Sequence, residues 1–330
     1  MREFSGYKKG INFGGWISQC SEYTYEHYDT YIKAEDFAKV KEMGYDHIRV
    51  PMDYELIQTE EGEFIEKGFT YIDFAIENCR KNGLNMVLDL HRAPGYSFDP
   101  GHNKTGLFES EELQERFYGI WLELAKRYGK HADMLTLELL NEVTKQSYQA
   151  TWNKMIRHTI EVIRTVASDI RIIVGGYNNN SAEAVRALDE PYDDKIVYTF
   201  HFYEPLIFTH QGAYWIATMD TEFRCPFEMT YGEYQEKSEK YLCQAFSDFT
   251  KYNKDDVMGE IYFEDLIKEA IDVAEERNVP LYCGEFGVID RVSRDEAQKW
   301  YDLFYKFMDK YEIASSIWNY RGLDFQVAAE

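Results

Sequence analysis

The residues of this chain that could do chemistry sit where apolar runs end. Leu137-Glu138-Leu139-Leu140 runs into Asn141 and Glu142, an amide beside a carboxylate. Leu281-Tyr282-Cys283 runs through Gly284 into a second carboxylate, Glu285. Comparable ends fall at Arg49, His91, His201 with Tyr203, and Trp318. Two carboxylates facing each other, one ionised and one holding a proton, are what glycoside hydrolysis needs. A strand fading into a polar loop is the plainer reading of any single end. An architecture that gathers all of them at one place would decide for chemistry.

The elements around these residues alternate strand-like and helix-like, the mark of a parallel α/β fold. Strands are expected at Gly10 to Phe13, Asp46 to Val50 (ended by Pro51), Asn85 to Leu90, Leu137 to Glu142, Arg171 to Val174, Lys195 to Phe200, Leu281 to Cys283 and Ala314 to Ile317. Helices are expected from Ala34 to Met43 with a stop at Gly44, Phe69 to Lys81, Glu111 to Tyr128 capped by Ser110, Ala150 to Ala167 and Glu264 to Arg277, with a short one after Ser181. A further helix opens with Ser293 and Glu296 at capping-box spacing. Eight such strands in 330 residues fit a (β/α)8 TIM barrel, which takes roughly 250 residues plus insertions. The whole of 1–330 reads as one domain. Segment 204–259, rich in aromatics and charges, reads as a small inserted subdomain over the barrel mouth. No eighth helix follows the last strand, so the chain is either trimmed or closes without it.

Composition narrows the partners. A net charge of −23 repels nucleic acid and anionic membranes and disfavours an acidic polymer as substrate. A neutral ligand meets no such penalty. No apolar run approaches the roughly 20 residues of a membrane span. Met1 to Gly6 has no signal-peptide apolar region, so the protein is expected to be cytoplasmic, acting on imported oligosaccharides, or secreted with its leader removed. The five cysteines, Cys20, Cys79, Cys225, Cys243 and Cys283, are widely spaced and read as free thiols that pack. A metal-dependent hydrolase would need clustered ligands such as a His-x-His pair, and none appears on these strands. No cofactor is expected.

The motifs Ile48-Arg49-Val50-Pro51, Asp89-Leu90-His91, Glu138-Leu139-Leu140-Asn141-Glu142, His201-Phe202-Tyr203, Gly284-Glu285-Phe286-Gly287 and Ile317-Trp318-Asn319 occur in one order across nearly the whole chain. In this the sequence resembles glycoside hydrolase family 5 of clan A, which contains cellulases and mannanases. It looks most like single-domain bacterial endoglucanases with an insertion after strand six. The resemblance implies a retaining mechanism, with Glu285 as nucleophile and Glu142 as acid/base. Glu285 would need cationic and hydrogen-bonding neighbours, for which Arg49 and Tyr203 are candidates. His201 would tune Glu142, Asn141 would bind the 2-hydroxyl of the sugar being cleaved, His91 would bond the same sugar, and Trp318 would be its aromatic floor. Retention would put the carboxyl groups about 5–5.5 Å apart. Glu138 reads as structural.

Further out, Trp16, Tyr96, Phe98, Trp215, Phe227 and Tyr231 could stack on sugar rings, with Trp16 and Trp215 preferred; local packing is the alternative for each. Many relatives carry His-His where this chain has His91-Arg92. Arg92 would either bind a sugar hydroxyl or pair with Asp99. The expected activity is hydrolysis of internal β-1,4-glucosidic bonds in cellulose-like or mixed-linkage β-glucan by a monomer. A β-mannanase, a xyloglucan-active enzyme and an inactive glycan-binding barrel are the alternatives.

Overall fold

Strands that are apolar on both faces must be covered on both faces, and here a closed ring with helices outside does this. The computed structural model describes residues 1–99, 105–242 and 248–327. The strands are β1 (Lys9–Asn12), β2 (His47–Asp53), β3 (Asn85–Arg92), β4 (Leu135–Glu138), β5 (Arg171–Gly175), β6 (Ile196–Phe202), β7 (Leu281–Phe286) and β8 (Ala314–Ile317). Each pairs in parallel with the next, and β8 pairs back with β1.

The connections carry α1 (Tyr25–Tyr31) and α2 (Ala34–Glu42), α3 (Glu66–Asn82), α4 (Glu111–Tyr128), α5 (Gln149–Arg164), the single turn α6 (Tyr177–Asn180), α7 (Leu206–Thr209), α8 (Tyr231–Tyr241), α9 (Glu260–Glu276) and α10 (Arg294–Lys310). α4 shows why such segments are helical. Ser110 caps it by accepting from the Leu113 N–H, Glu111 and Glu112 occupy its positive end, and Lys126 and Arg127 its negative end. Its buried stripe of Phe117, Ile120, Trp121 and Leu124 follows the helical repeat onto the barrel.

Alternate strand residues face the barrel axis. In the lower half these are Val87, Ile173, Val197, Tyr282 and Ala314, which pack with Phe4 and Tyr7 of the N-terminal segment into a small apolar core. Phe4 and Tyr7 stack at 4.2 Å, and the Tyr7 hydroxyl donates to the Met134 carbonyl at 2.8 Å. Two residues further along the strands the axis turns polar: Asn12, Arg49, Asp89, Glu138, Thr199 and Ser316 are all buried.

Two strands carry an extra residue, β3 at His91 opposite Met52 and Asp53, and β7 near its end. Phe200 pairs with Cys283, but the next residue, His201, pairs with Glu285, and the β8 side shows the same extra residue. The bulge at Gly284 shifts β7 by one position, which exchanges its faces. Glu285 therefore turns to the axis, and Phe286 turns outward to stack on Phe304 at 4.0 Å. A Cβ on Gly284 would lie 3.0 Å from Thr199 Oγ1 and 3.1 Å from His201 Nε2, so any side chain there would press on these two neighbours.

Several boundaries differ from expectation. β2 runs through Pro51 to Asp53. Its partner β1 has already ended at Asn12, so the missing proline N–H removes no ladder bond from that side. β4 stops at Glu138 rather than Glu142: Trp121 Nε1 takes the Leu139 carbonyl, although the Leu139 and Asn141 N–H groups still bond Ile173 on β5 and Leu90 on β3. The Ser293 capping box does not form; Glu296 instead accepts from the Phe227 N–H at 2.6 Å and pairs with Lys299. Of the cysteines, Cys79, Cys225 and Cys283 are buried, Cys20 is half-buried and all four are free thiols, while Cys243 lies outside the described residues.

Candidate active site

The C-terminal ends of the strands open into a cleft of about 710 Å³ whose walls include His91, Asn141, Glu142, Tyr203, Glu285 and Trp318. Beneath them Arg49, fully buried on β2, organises the floor. Its Nη1 donates to Glu285 Oε1 at 2.8 Å and to Asn12 Oδ1 at 3.0 Å. Its Nε and Nη2 hold both oxygens of Glu138 at 2.7 and 3.1 Å, and Nη2 also reaches Asp89 Oδ2 and Asn141 Oδ1, each at 3.0 Å. Burial works against the charge on Arg49, but Asp89, Glu138 and Glu285 outweigh it and raise its pKa well above the usual value. One cation facing three buried carboxylates cannot neutralise them all. Burial accordingly pushes Glu138 upward and Asp89 up to about 7.

Glu285 accepts at both oxygens: Arg49 holds one, and the Tyr203 hydroxyl donates to Oε2 at 3.0 Å. Burial, followed by the charge of Glu285, raises Tyr203 well above its ordinary value, so the phenol keeps the hydrogen it donates. Glu142 lies just past β4 with φ +37°, a left-handed backbone that a non-glycine residue adopts at a cost. Its Oε1 meets His201 Nδ1 at 2.9 Å, and its Oε2 accepts from Asn179 Nδ2 at 3.0 Å. Burial raises its pKa, and the Asn179 bond opposes the rise.

The two histidines are neutral bases here, both pushed down to about 4 chiefly by burial. His91 Nδ1 faces Asp89 Oδ2 at 2.5 Å, which puts the ring hydrogen on that side and leaves Nε2 an acceptor toward Asn141 Nδ2 at 3.5 Å. Asn180 Nδ2 stands 3.4 Å from His201 Nε2; an amide N–H only donates, so Nδ1 carries the hydrogen toward Glu142. Because Arg49 occupies Asn141 Oδ1, the Asn141 amide N–H groups are left to face the cleft. Trp318 lies parallel to the His91 ring, 5.9 Å away with 5° between the planes, and Phe98 meets the same ring edge-on at 4.9 Å.

Trp215, 45% exposed, lines the cleft with its neighbour Tyr214. Trp16 does not: it is fully buried, with Nε1 donating to the Tyr28 carbonyl. Phe227 and Tyr231 are buried too, Phe227 against Phe208 and Tyr231 stacked on Tyr252. Tyr96 is buried and serves the site from behind, its hydroxyl donating to the Glu142 carbonyl at 2.8 Å. Arg92 pairs with Asp53 at 2.5 Å. Asn179 and Asn180 were missed by sequence reasoning. Their signal is the run Asn178-Asn179-Asn180 one residue after Gly175-Gly176, and all three asparagines are left-handed, at φ 48, 55 and 57°.

Glu142, His201 and Glu285 offer ligand atoms within 4.8 Å of one another, enough to hold a metal ion. Spacing along the chain did not reveal this trio, because it comes from three separate strand ends. Arg49, 2.8 Å from Glu285, already supplies a positive charge at that point.

Known proteins resemble this chain in sequence and in fold. The sequence model of the cellulase family, glycosyl hydrolase family 5, matches residues 7–323. The chain is 41% identical over 314 residues to cellodextrinase A of Ruminococcus flavefaciens, covering 95% of this chain and 85% of that protein. It is 39% identical over 330 residues to endoglucanase C of Acetivibrio thermocellus, covering 98% and 94%. In fold it is similar to endoglucanase Cel5A of Thermotoga maritima, with a TM-score of 0.75 at 24% identity over 97% of this chain and 91% of that one.

Proposed function

The chain belongs to glycosyl hydrolase family 5, and from that premise we propose a retaining endo-β-1,4-glucanase acting on cellulose-like or mixed-linkage β-glucan. The observation that carries the mechanism is the approach of Glu142 and Glu285, with ligand oxygens within 4.8 Å. Inverting enzymes keep their carboxyl groups about 6.5–9.5 Å apart to admit a water between them. Here direct attack fits instead.

In the first step Glu285 Oε attacks the anomeric carbon as the glycosidic C–O bond breaks. Glu142 gives its proton to the departing oxygen, and the raised pKa of its carboxyl keeps that proton available. Arg49 and Tyr203 hold the attacking carboxylate in line. In the second step Glu142, now ionised, takes a proton from water, whose oxygen displaces Glu285 with a second inversion. The Asn141 amide donates to the 2-hydroxyl, a contact that strengthens in the transition state. His91 Nε2 exchanges its long 3.5 Å contact with Asn141 Nδ2 for a hydroxyl of the same sugar, and Trp318 lies under its ring. Trp215 and Tyr214, from segment 204–259, form an aromatic rim at the cleft.

The test is reducing-end release from carboxymethylcellulose, barley β-glucan, lichenan, xyloglucan and mannan, with product sizing and an EDTA-treated arm. Activity on the first three, unaffected by EDTA, is expected. No hydrolysis of any polymer overturns the reading; mannan or xyloglucan alone redirects it to the other sugars. Glu285→Ala with azide should release a glycosyl azide of inverted configuration, and a retained configuration would reject Glu285 as nucleophile.

A further inference from the structure

We propose that Asn180 is a positioning residue for the acid step: its amide selects which nitrogen of His201 carries the ring hydrogen, and through that which oxygen of Glu142 carries the proton to be given up. The proposal rests on the retaining-glucanase reading and deepens it. Asn180 is fully buried, whereas its neighbour Asn179 lines the cleft. Its influence on the chemistry therefore has to pass through His201.

His201 is flanked at both ring nitrogens. Its Nδ1 lies 2.9 Å from Glu142 Oε1 and 3.7 Å from Glu285 Oε2, and its Nε2 lies 3.4 Å from Asn180 Nδ2. Burial pushes the ring down to about 4, so it is neutral and has a single N–H hydrogen to place. Facing an amide N–H, Nε2 must keep its lone pair, and the hydrogen goes to Nδ1. An oxygen that already accepts a hydrogen bond is the poorer base. With Nδ1–H on Oε1, the acid proton of Glu142 is favoured on Oε2, from which it can pass to the departing oxygen.

Asn180 is built into this place. A Cβ on Gly175 would lie 2.3 Å from Asn180 Oδ1 and 2.6 Å from its Cγ, so the amide fills the space that a side chain there would take. The Gly175 carbonyl accepts from Trp152 Nε1 at 2.9 Å, which fixes that wall. The Asn179 N–H bonds the Val143 carbonyl at 3.1 Å and ties the asparagine turn to the segment that carries Glu142. Asn180 Oδ1 is buried and has no hydrogen-bond partner among the described residues. A buried amide with its oxygen unpaired is costly to the fold, and its contact with an imidazole beside the acid gives it a reason to be kept.

The unpaired oxygen also defines the opposite setting. With the amide turned over, Oδ1 would accept from a hydrogen on Nε2, and Nδ1 would face Glu142 as a lone pair. Nδ1 would then accept from Oε1–H and hold the Glu142 proton within the protein, away from the substrate. That lone pair would also oppose the Glu285 carboxylate 3.7 Å away. The orientation found here avoids both. Asn180→Asp imposes the opposite setting, because a carboxylate only accepts.

The test compares two β-cellobiosides that differ only in what leaves: dinitrophenolate departs without a proton, whereas phenolate needs one. In Asn180→Asp, kcat/KM on the phenyl substrate should fall about 100-fold, and on the dinitrophenyl substrate by less than about threefold. Gly175→Ala, which displaces the amide from behind, should produce the same imbalance with a smaller loss. ¹⁵N-histidine NMR of the full chain gives a measure apart from activity, with the His201 signals identified by their loss in His201→Gln. The wild type should show hydrogen on Nδ1 and a bare Nε2, and Asn180→Asp should show hydrogen on Nε2. Hydrogen on Nε2 in the wild type, equal losses on both leaving groups, or an unchanged phenyl rate in Asn180→Asp each overturns the proposal. If the variants do not fold, the wild-type spectrum decides. Inactivity of the wild type on both cellobiosides and on β-glucan breaks the glucanase reading itself, while the spectrum still reads the tautomer.

Discussion

The two halves of the barrel interior are built by the same strands and the same alternation, yet they have opposite chemistry. In the lower half Val87, Ile173, Val197 and Tyr282 close on Phe4 and Tyr7 in an apolar layer whose few polar tips, the Tyr7 and Tyr282 hydroxyls, are hydrogen-bonded and carry no charge. One inward position higher, Val87 gives way to Asp89, Val197 to Thr199 and Ala314 to Ser316, and Arg49 enters with three carboxylates. The lower half is what burial favours. The upper half buries charge that is costly to bury and is retained for chemistry, with compensation concentrated in one guanidinium. Stability and catalysis are thus layered along one axis.

That layering can be broken in three places. Arg49→Gln should do the most damage, because this residue alone belongs to both ledgers of the upper half. Its loss leaves buried carboxylates unpaired and should cost about 3–5 kcal/mol in denaturant unfolding. It should also lower kcat by about 10³-fold, since Glu285 and Asn141 lose their anchor. Normal activity with lowered stability would reduce Arg49 to scaffolding. Phe4→Ala should separate the halves cleanly: a loss of about 3 kcal/mol in unfolding from the emptied plug. The kcat of the folded enzyme should stay within about twofold, because the two sites share no partners. A large drop in kcat would mean that the halves are coupled.

The smallest effect is a shift in pH. In the proposed mechanism Glu142 must be protonated to act as acid, so activity should fall as pH rises through its raised pKa. Asn179 opposes that rise by hydrogen-bonding the carboxylate. Asn179→Ala should therefore move the alkaline limb of the kcat/KM profile to higher pH. A shift to lower pH would contradict the assigned role.

The barrel was legible because each strand is an apolar run closed by a turn signal, and the polar residue after each run marks the mouth. Asn141, Glu142, His201 and Glu285 could be placed that way. Trp16 could not, since an aromatic in a loop reads the same whether it stacks on a ligand or, as here, donates to Tyr28 within the core. The reach of Arg49 across the barrel to Glu138 and Glu285 joins residues 89 and 236 positions apart, a separation at which periodicity carries no information. The misplaced end of β4 had a local cause, since Leu139 and Leu140 continue the apolar character past Glu138 and conceal where the ladder stops.

The extra residue at Gly284 has a consequence for anyone moving this chemistry elsewhere. The direction of Glu285 is set by counting: one residue inserted ahead of it converts an outward position into an inward one. A host barrel given a glutamate at the matching strand height, without the additional glycine, would aim the carboxylate at its own helices and an aromatic ring at the sugar. Transplanting the active site therefore means copying an insertion as well as a set of side chains, and an alignment that closes that one-residue gap would hide the reason the donor works.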